Sequence, residues 1–164
     1  MARILARTRT RAAGYTLVEL MTVVALLALL ASLAAPSFRN MIAAQRIRSA
    51  SFDMVSDLVL ARSEALKRGS TVQILPSGTD WVGGWRVQLL TTQKISQRNA
   101  LGGGVEVTAA PESVRFNLNG RVVDADGQEL SDPVRFAFSG GTRQSCIFLD
   151  PSGRPRSTTC PSSQ

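Results

Sequence analysis

The sequence predicts an α+β fold: a long N-terminal helix, membrane-spanning in its first half, packed on a small antiparallel β-sheet domain. Three observations predict it. The block from Leu20 to Ala35 carries no charge. Apolar residues then recur every three or four positions as far as Ala65, the period of a half-buried helix. Beyond Gly69 the period falls to two, and the short apolar runs are separated by Gly, Pro and Asn. The chain has 164 residues, enough for one modest domain with an appendage.

Residues 1–14 hold Arg3, Arg7, Arg9 and Arg11 and no acid, so this end is expected to stay on the cytoplasmic side of a membrane. The formal charge of +7 is concentrated there. Without these residues the chain keeps 15 basic against 12 acidic side chains, a formal +3. A case for nucleic acid must therefore rest on local clustering. A conventional signal peptide would place a small-residue cut after the apolar stretch, at Ala31-Ser32-Leu33-Ala34-Ala35. The residues before that stretch argue for a different cut. Gly14-Tyr15-Thr16-Leu17-Val18-Glu19 resembles the type IV prepilin signature, in which a dedicated peptidase cuts after glycine on the cytoplasmic side. Tyr15 stands where that family usually has Phe. The resemblance implies cleavage between Gly14 and Tyr15, N-methylation of Tyr15, and a prepilin peptidase/N-methyltransferase as processing partner.

Glu19 is out of place on elementary grounds. A carboxylate within an apolar span costs roughly 2.5–3.5 kcal/mol unless a partner meets it. After cleavage the new amino terminus lies four residues away, and in a filament a neighbour's amino terminus can neutralise Glu19 and fix axial register. The resemblance implies that role, with other pilins as partners.

From Tyr15 to Ala35 a helix would measure about 31 Å at 1.5 Å per residue, the thickness of a bilayer core. Pro36 is expected to bend the helix without ending it. After it, Ile47, Ala50, Met54, Leu58, Ala61 and Ala65 form one stripe, while Arg46, Arg48, Asp53, Asp57, Arg62 and Lys67 take other faces. Gly69 closes the helix, with Lys67 and Arg68 in the last turn where positive charge is favoured. The expected divisions are a leader (1–14), an assembly segment (15–37), an amphipathic helix (38–68) and a β-rich domain (69–164).

In the β-rich domain the expected strands are Thr71–Leu75, Trp85–Leu90, Val105–Thr108, Val114–Phe116, Val134–Phe138 and Cys146–Leu149, covered by the helical stripe. Residues 91–132 give no strand order. Trp81 and Trp85 read as packing under a hairpin rather than as a ligand-stacking pair. Asp124, Asp126 and Glu129 lack the spacing of a calcium loop, and no metal or cofactor is expected. Histidine is absent, which removes the commonest general base and metal ligand. No nucleophile motif is present, and Gly102-Gly103-Gly104 lacks the Lys-Ser/Thr of a phosphate loop, so no enzyme is expected. The element order, with Gly84-Trp85 and a C-terminal strand, turn and basic segment, resembles the GspH/FimT branch of type IV pilin-like proteins.

The segment from Cys146 to Cys160 carries the functional expectation. Two cysteines in an exported chain suggest one disulfide, closing a loop of about 15 residues and contributing about 3 kcal/mol. Asp150-Pro151-Ser152-Gly153 is a type I turn signature. Arg154 precedes a proline and is extended, so Arg154 and Arg156 point to one side, roughly 6.6 Å apart. Two ordered guanidinium groups suit phosphate. Gly153-Arg154-Pro155-Arg156 resembles the Gly-Arg-x-Arg signature of FimT minor pilins. That resemblance implies that Arg154 and Arg156 contact DNA, that Gly153 shapes the turn and that Arg143 widens the patch. Aromatics are scarce nearby, so base stacking is expected to be minor. The expected function is a minor type IV pilin binding DNA with little sequence preference and supporting uptake in transformation. It would sit single-pass in the inner membrane with its C-terminal domain in the periplasm, and then in the pilus. The alternative is a GspH-like pseudopilin of type II secretion, with a structural role and no DNA binding.

Overall fold

The computed structural model describes residues 14–160, apart from Thr142 and the side chain of Pro36. The expected leader, except for Gly14, therefore lies outside the described residues, as do residues 161–164. The helix α1 (Leu17–Arg68) is the only helix among the described residues, and it continues past Pro36, which has no N–H to donate. The chain divides into two units, one ending at Phe38 and one beginning at Arg39.

In the first unit the apolar side chains from Leu17 to Leu33 are exposed. Among the described residues nothing buries them, and α1 is long and apolar enough there to cross a membrane.

In the second unit the stripe Ile47, Ala50, Met54, Leu58, Ala61 and Ala65 is buried throughout. Ser70 N–H returns to the Ala65 carbonyl at 3.3 Å, satisfying an end carbonyl as the helix closes at Gly69.

The strands are β1 (Val72–Pro76), β2 (Trp85–Leu89), β3 (Lys94–Arg98), β4 (Glu106–Ala109), β5 (Val114–Phe116), β6 (Val122–Val123), β7 (Val134–Gly140), β8 (Arg143–Leu149) and β9 (Pro155–Thr158). They form two sheets, antiparallel as the α+β reading expects of the β-rich domain, with an order the sequence did not give. One has the order β3-β2-β1-β5-β6 and the other β4-β7-β8-β9. Both contribute to one core around the helical stripe: Val72, Ile74, Val87 and Phe116 from the first, Phe136, Phe138, Ile147 and Leu149 from the second. Three strands lie outside the six expected, one of them β9, where only extended backbone around Arg154 was expected. Lys94–Arg98 is polar and half-exposed because it lies at a sheet edge, and β6 is too short to show a period.

One buried charge ties helix to sheet. Asp57 is only 2% exposed, and its Oδ2 accepts from Trp85 Nε1 at 2.9 Å and from Arg98 Nε at 2.8 Å. Gly84 makes this possible. Its φ is +92°, and a Cβ there would lie 2.4 Å from the Arg98 carbonyl oxygen, so only glycine lets β2 begin against the end of β3. Replacing Asp57 by Ala leaves the Trp85 N–H without its acceptor and Arg98 with only Asp53, at 3.4 Å. The loss is expected to be about 3 kcal/mol, the lower end for breaking a buried pair because Arg98 keeps some solvent. Thermal melting checks this, with Asp57→Asn, which keeps an acceptor, expected to lose less. Equal melting of Ala variant and parent would contradict it.

Trp81 and Trp85 are both interior. Trp81 donates to the Pro111 carbonyl at 2.7 Å and packs edge-on to Phe136, with ring centroids 5.1 Å apart. Asp124 accepts from the N–H groups of Asp126 and Gln128, and Glu129 pairs with Arg121, so these acids build and brace a turn.

Candidate nucleic-acid interface

The second sheet ends in a hairpin whose turn is built around Asp150. The Gly153 N–H donates to the Asp150 carbonyl at 2.8 Å, closing the turn, and the Asp150 N–H donates to the Arg154 carbonyl at 3.2 Å. The Asp150 carboxylate accepts from the Ser152 hydroxyl and from Arg154 N–H. The Ser152 hydrogen bond holds this carboxyl below its ordinary value, against partial desolvation, with Arg154 adding to the effect. The sign follows from the lowered value: this brace is complete above the ordinary aspartate range and is lost as pH falls through the lower folded one.

Gly153 is fixed by sterics. Its φ is +80°, and a Cβ there would lie 2.3 Å from the Gly120 carbonyl oxygen. Arg62 from the helix donates to that same carbonyl at 3.1 Å, and Val122 N–H donates to the Pro151 carbonyl at 3.0 Å. The turn is thus seated on the helix and on the first sheet.

Cys146 and Cys160 are bonded, with Cα atoms 4.8 Å apart, joining β8 to the residues after β9. Replacing both by Ser is expected to remove about 3 kcal/mol. That corresponds to a melting temperature lower by roughly 10 °C for a domain of this size, measured without reductant. No change in melting would mean that packing alone holds β9.

Arg154 and Arg156 both lean toward Asp150 Oδ2, at 3.6 and 4.0 Å. Their side chains are 73% and 79% exposed. Arg154 Nε donates to Ser152 Oγ at 3.1 Å. Among the described residues its terminal nitrogens and the whole Arg156 guanidinium make no hydrogen bond to protein. Their donors point to solvent from an anchored base.

Arg143 is not brought to this pair. It opens β8, five residues before Phe148, which stands opposite Arg156. At roughly 3.3 Å per residue that is about 16 Å along the strand, and the odd offset turns its side chain to the other face. It lines a cleft with Asn40, Met41, Ala44, Gln45 and Arg48 instead.

Sequence reading missed two residues that do belong. Arg135 on β7 is directly opposite Phe148 on β8, and Phe148 is directly opposite Arg156 on β9. Arg135, Phe148 and Arg156 therefore make one row across three strands on the face away from the core. Directly paired residues have Cβ atoms about 4.5–5.5 Å apart. The signal exists in the sequence only once the register is known.

At the N-terminus, Gly14 and Tyr15 are exposed and precede the helix, with nothing within 4 Å of where a Gly14 Cβ would lie. Thr16 caps α1, its hydroxyl accepting from the Glu19 N–H at 3.2 Å, and Glu19 is exposed in the first turn. Glu19 thus stands at a helix start, where a negative charge is favoured.

The match of known families to this chain follows the same division. The family model described as "Type II transport protein GspH" matches residues 50–153, and the one described as "Prokaryotic N-terminal methylation motif" matches residues 9–35. No curated protein matches the chain. The chain is similar in fold to the type IV minor pilin FimU of Pseudomonas aeruginosa in two crystal forms. The first gives 20% identity and a TM-score of 0.55 over 73% of this chain and 92% of that one. The second gives 21% and 0.54 over 71% and 94%. It is also similar to the minor pseudopilin EpsH of the Vibrio cholerae type 2 secretion system, at 13% identity and a TM-score of 0.50, over 70% and 97%.

Proposed function

The chain belongs to the GspH family of type IV pilin-like proteins, and from that premise we propose that it is a minor pilin that binds DNA through the turn Gly153 to Arg156. In this reading the prepilin peptidase removes residues 1–14, Tyr15 is N-methylated, and the apolar part of α1 holds the chain in the inner membrane until it enters a filament. Glu19 then meets the amino terminus of a neighbouring subunit. The C-terminal domain faces the periplasm and afterwards the outside, where DNA is encountered.

The observation that carries the DNA reading is the pair of exposed guanidinium groups seated on one braced turn. Phosphate is the ligand this suits. Each planar fork can donate two parallel hydrogen bonds to phosphate oxygens, and the bridge and the Gly153 seat order the loop beforehand. Arg135 extends the row and supplies the third cation in place of Arg143. Contacts to the backbone carry little sequence information, so binding is general. Such DNA capture would serve uptake in natural transformation.

The secretion pseudopilin reading is favoured by the likeness to EpsH, and it has no use for the arginine turn. The full-length chain in detergent decides between them. A minor pilin of the proposed kind retards duplex DNA in a gel at low salt and releases it as salt rises. A structural pseudopilin leaves the DNA unretarded at every salt concentration.

A further inference from the structure

Phe148 is the aromatic that the core of the second sheet does not use. Phe136 and Phe138 are fully buried, and Ile147 and Leu149 on either side of Phe148 fill the interior. Phe148 instead looks out, half-buried, between Arg135 and Arg156. It lines an open groove of roughly 610 Å³, with Pro133 and Pro151, Asp150, Arg156 and Ser157 along its edges.

The groove's chemistry is uneven. Its floor is apolar, and the Asp150 carboxylate at the edge repels phosphate from the interior. Arg135, Arg154 and Arg156 lie around it and attract phosphate. A ligand that is flat and uncharged in the middle and anionic at its ends fits this distribution, which describes an unpaired nucleotide within a strand. Bases in a duplex are stacked on one another and cannot enter.

We propose that Phe148 is a stacking platform for an unpaired nucleobase, so that this surface prefers single-stranded DNA. The proposal rests on the DNA-binding reading above and adds the form of DNA that is held. Stacking on an aromatic side chain depends little on which base is offered, because every base has a π-face. The preference is for strand form, not sequence.

The test uses the full-length chain in detergent and measures affinity by fluorescence anisotropy for three probes. These are a short oligothymidylate, an abasic strand with the same number of phosphates, and a duplex of matched length. The oligothymidylate is expected to bind about tenfold more tightly than the abasic strand, in line with the stacking contribution of one base. Phe148→Ala should remove that advantage, bringing the oligothymidylate down to the affinity of the abasic strand, while Phe148→Trp should keep it. Equal binding of oligothymidylate and abasic strand by the parent chain would overturn the proposal, as would equal weakening of all three probes by Phe148→Ala in a folded protein. Should the Ala variant not fold, the parent comparison and Phe148→Trp still decide. Failure of the DNA reading itself looks different: no probe would then bind the parent chain.

Discussion

Replacing Gly14 by a bulky residue is expected to abolish maturation, leaving every molecule heavier by residues 1–14. The physical basis is access. Gly14 has no side chain, it and Tyr15 are exposed ahead of the helix, and nothing lies within 4 Å of its Cβ position, so a protease can reach the bond between them. A side chain there would occupy the space the peptidase must enter. Mass spectrometry of the membrane-extracted protein checks it, and a variant still beginning at Tyr15 would contradict the cut site. The companion substitution separates processing from assembly. Glu19→Ala should be cut normally yet fail to enter filaments. A carboxylate and an ammonium about 4 Å apart attract by about 4 kcal/mol at an effective dielectric of 20, and this attraction is lost. In the isolated chain Glu19 contributes only at the start of α1, so its removal should disturb the fold little. Normal filament entry by the Ala variant would remove the register role.

Exchanging Arg154 and Arg156 together for Gln is expected to weaken duplex binding between about tenfold and a hundredfold at low salt. Both side chains are largely exposed, so solvent screens each contact and about 1 kcal/mol apiece is a fair upper value for the direct attraction. At that value two contacts give about 2 kcal/mol, against about 1.4 kcal/mol for a tenfold change. Release of condensed counterions from DNA adds to this as salt is lowered. Gln is shorter than Arg and uncharged but keeps a polar, hydrogen-bonding end, and the turn, held by Asp150, Ser152 and Gly153, should stand unchanged. Arg143→Gln serves as the control: it removes one charge from the other face of β8 and should change affinity far less.

The long helix was legible because its stripe has a period and its end has a glycine; Ile47 to Ala65 needed no tertiary information. The turn at Asp150 was equally legible, since Pro and Gly at fixed offsets leave the backbone few choices. The split into two sheets was not, because strand partners are chosen by long-range pairing: β1 takes both β2 and β5, and β7 reaches back to β4. Asp57 was placed on a face other than the apolar stripe, and Trp85 and Arg98 nonetheless draw it into the interior. The candidate interface was half legible. Arg154 and Arg156 are two residues apart in the chain, and alternation alone puts them on one side. Arg135 joins them from nineteen and twenty-one positions away through Phe148, and only the register of β7 and β8 with β9 makes that row. Arg143, nearer in sequence, is farther in space.

The claim that Arg154 and Arg156 grip phosphate is tested most directly by the salt dependence of duplex binding, measured for the parent chain and the double Gln variant. Each phosphate contact contributes about −0.9 to the slope of log affinity against log salt. The double variant should therefore show a slope shallower by about 1.8. Parallel lines for the two proteins would mean that these arginines do not touch the DNA backbone, and the proposed function would fall with them.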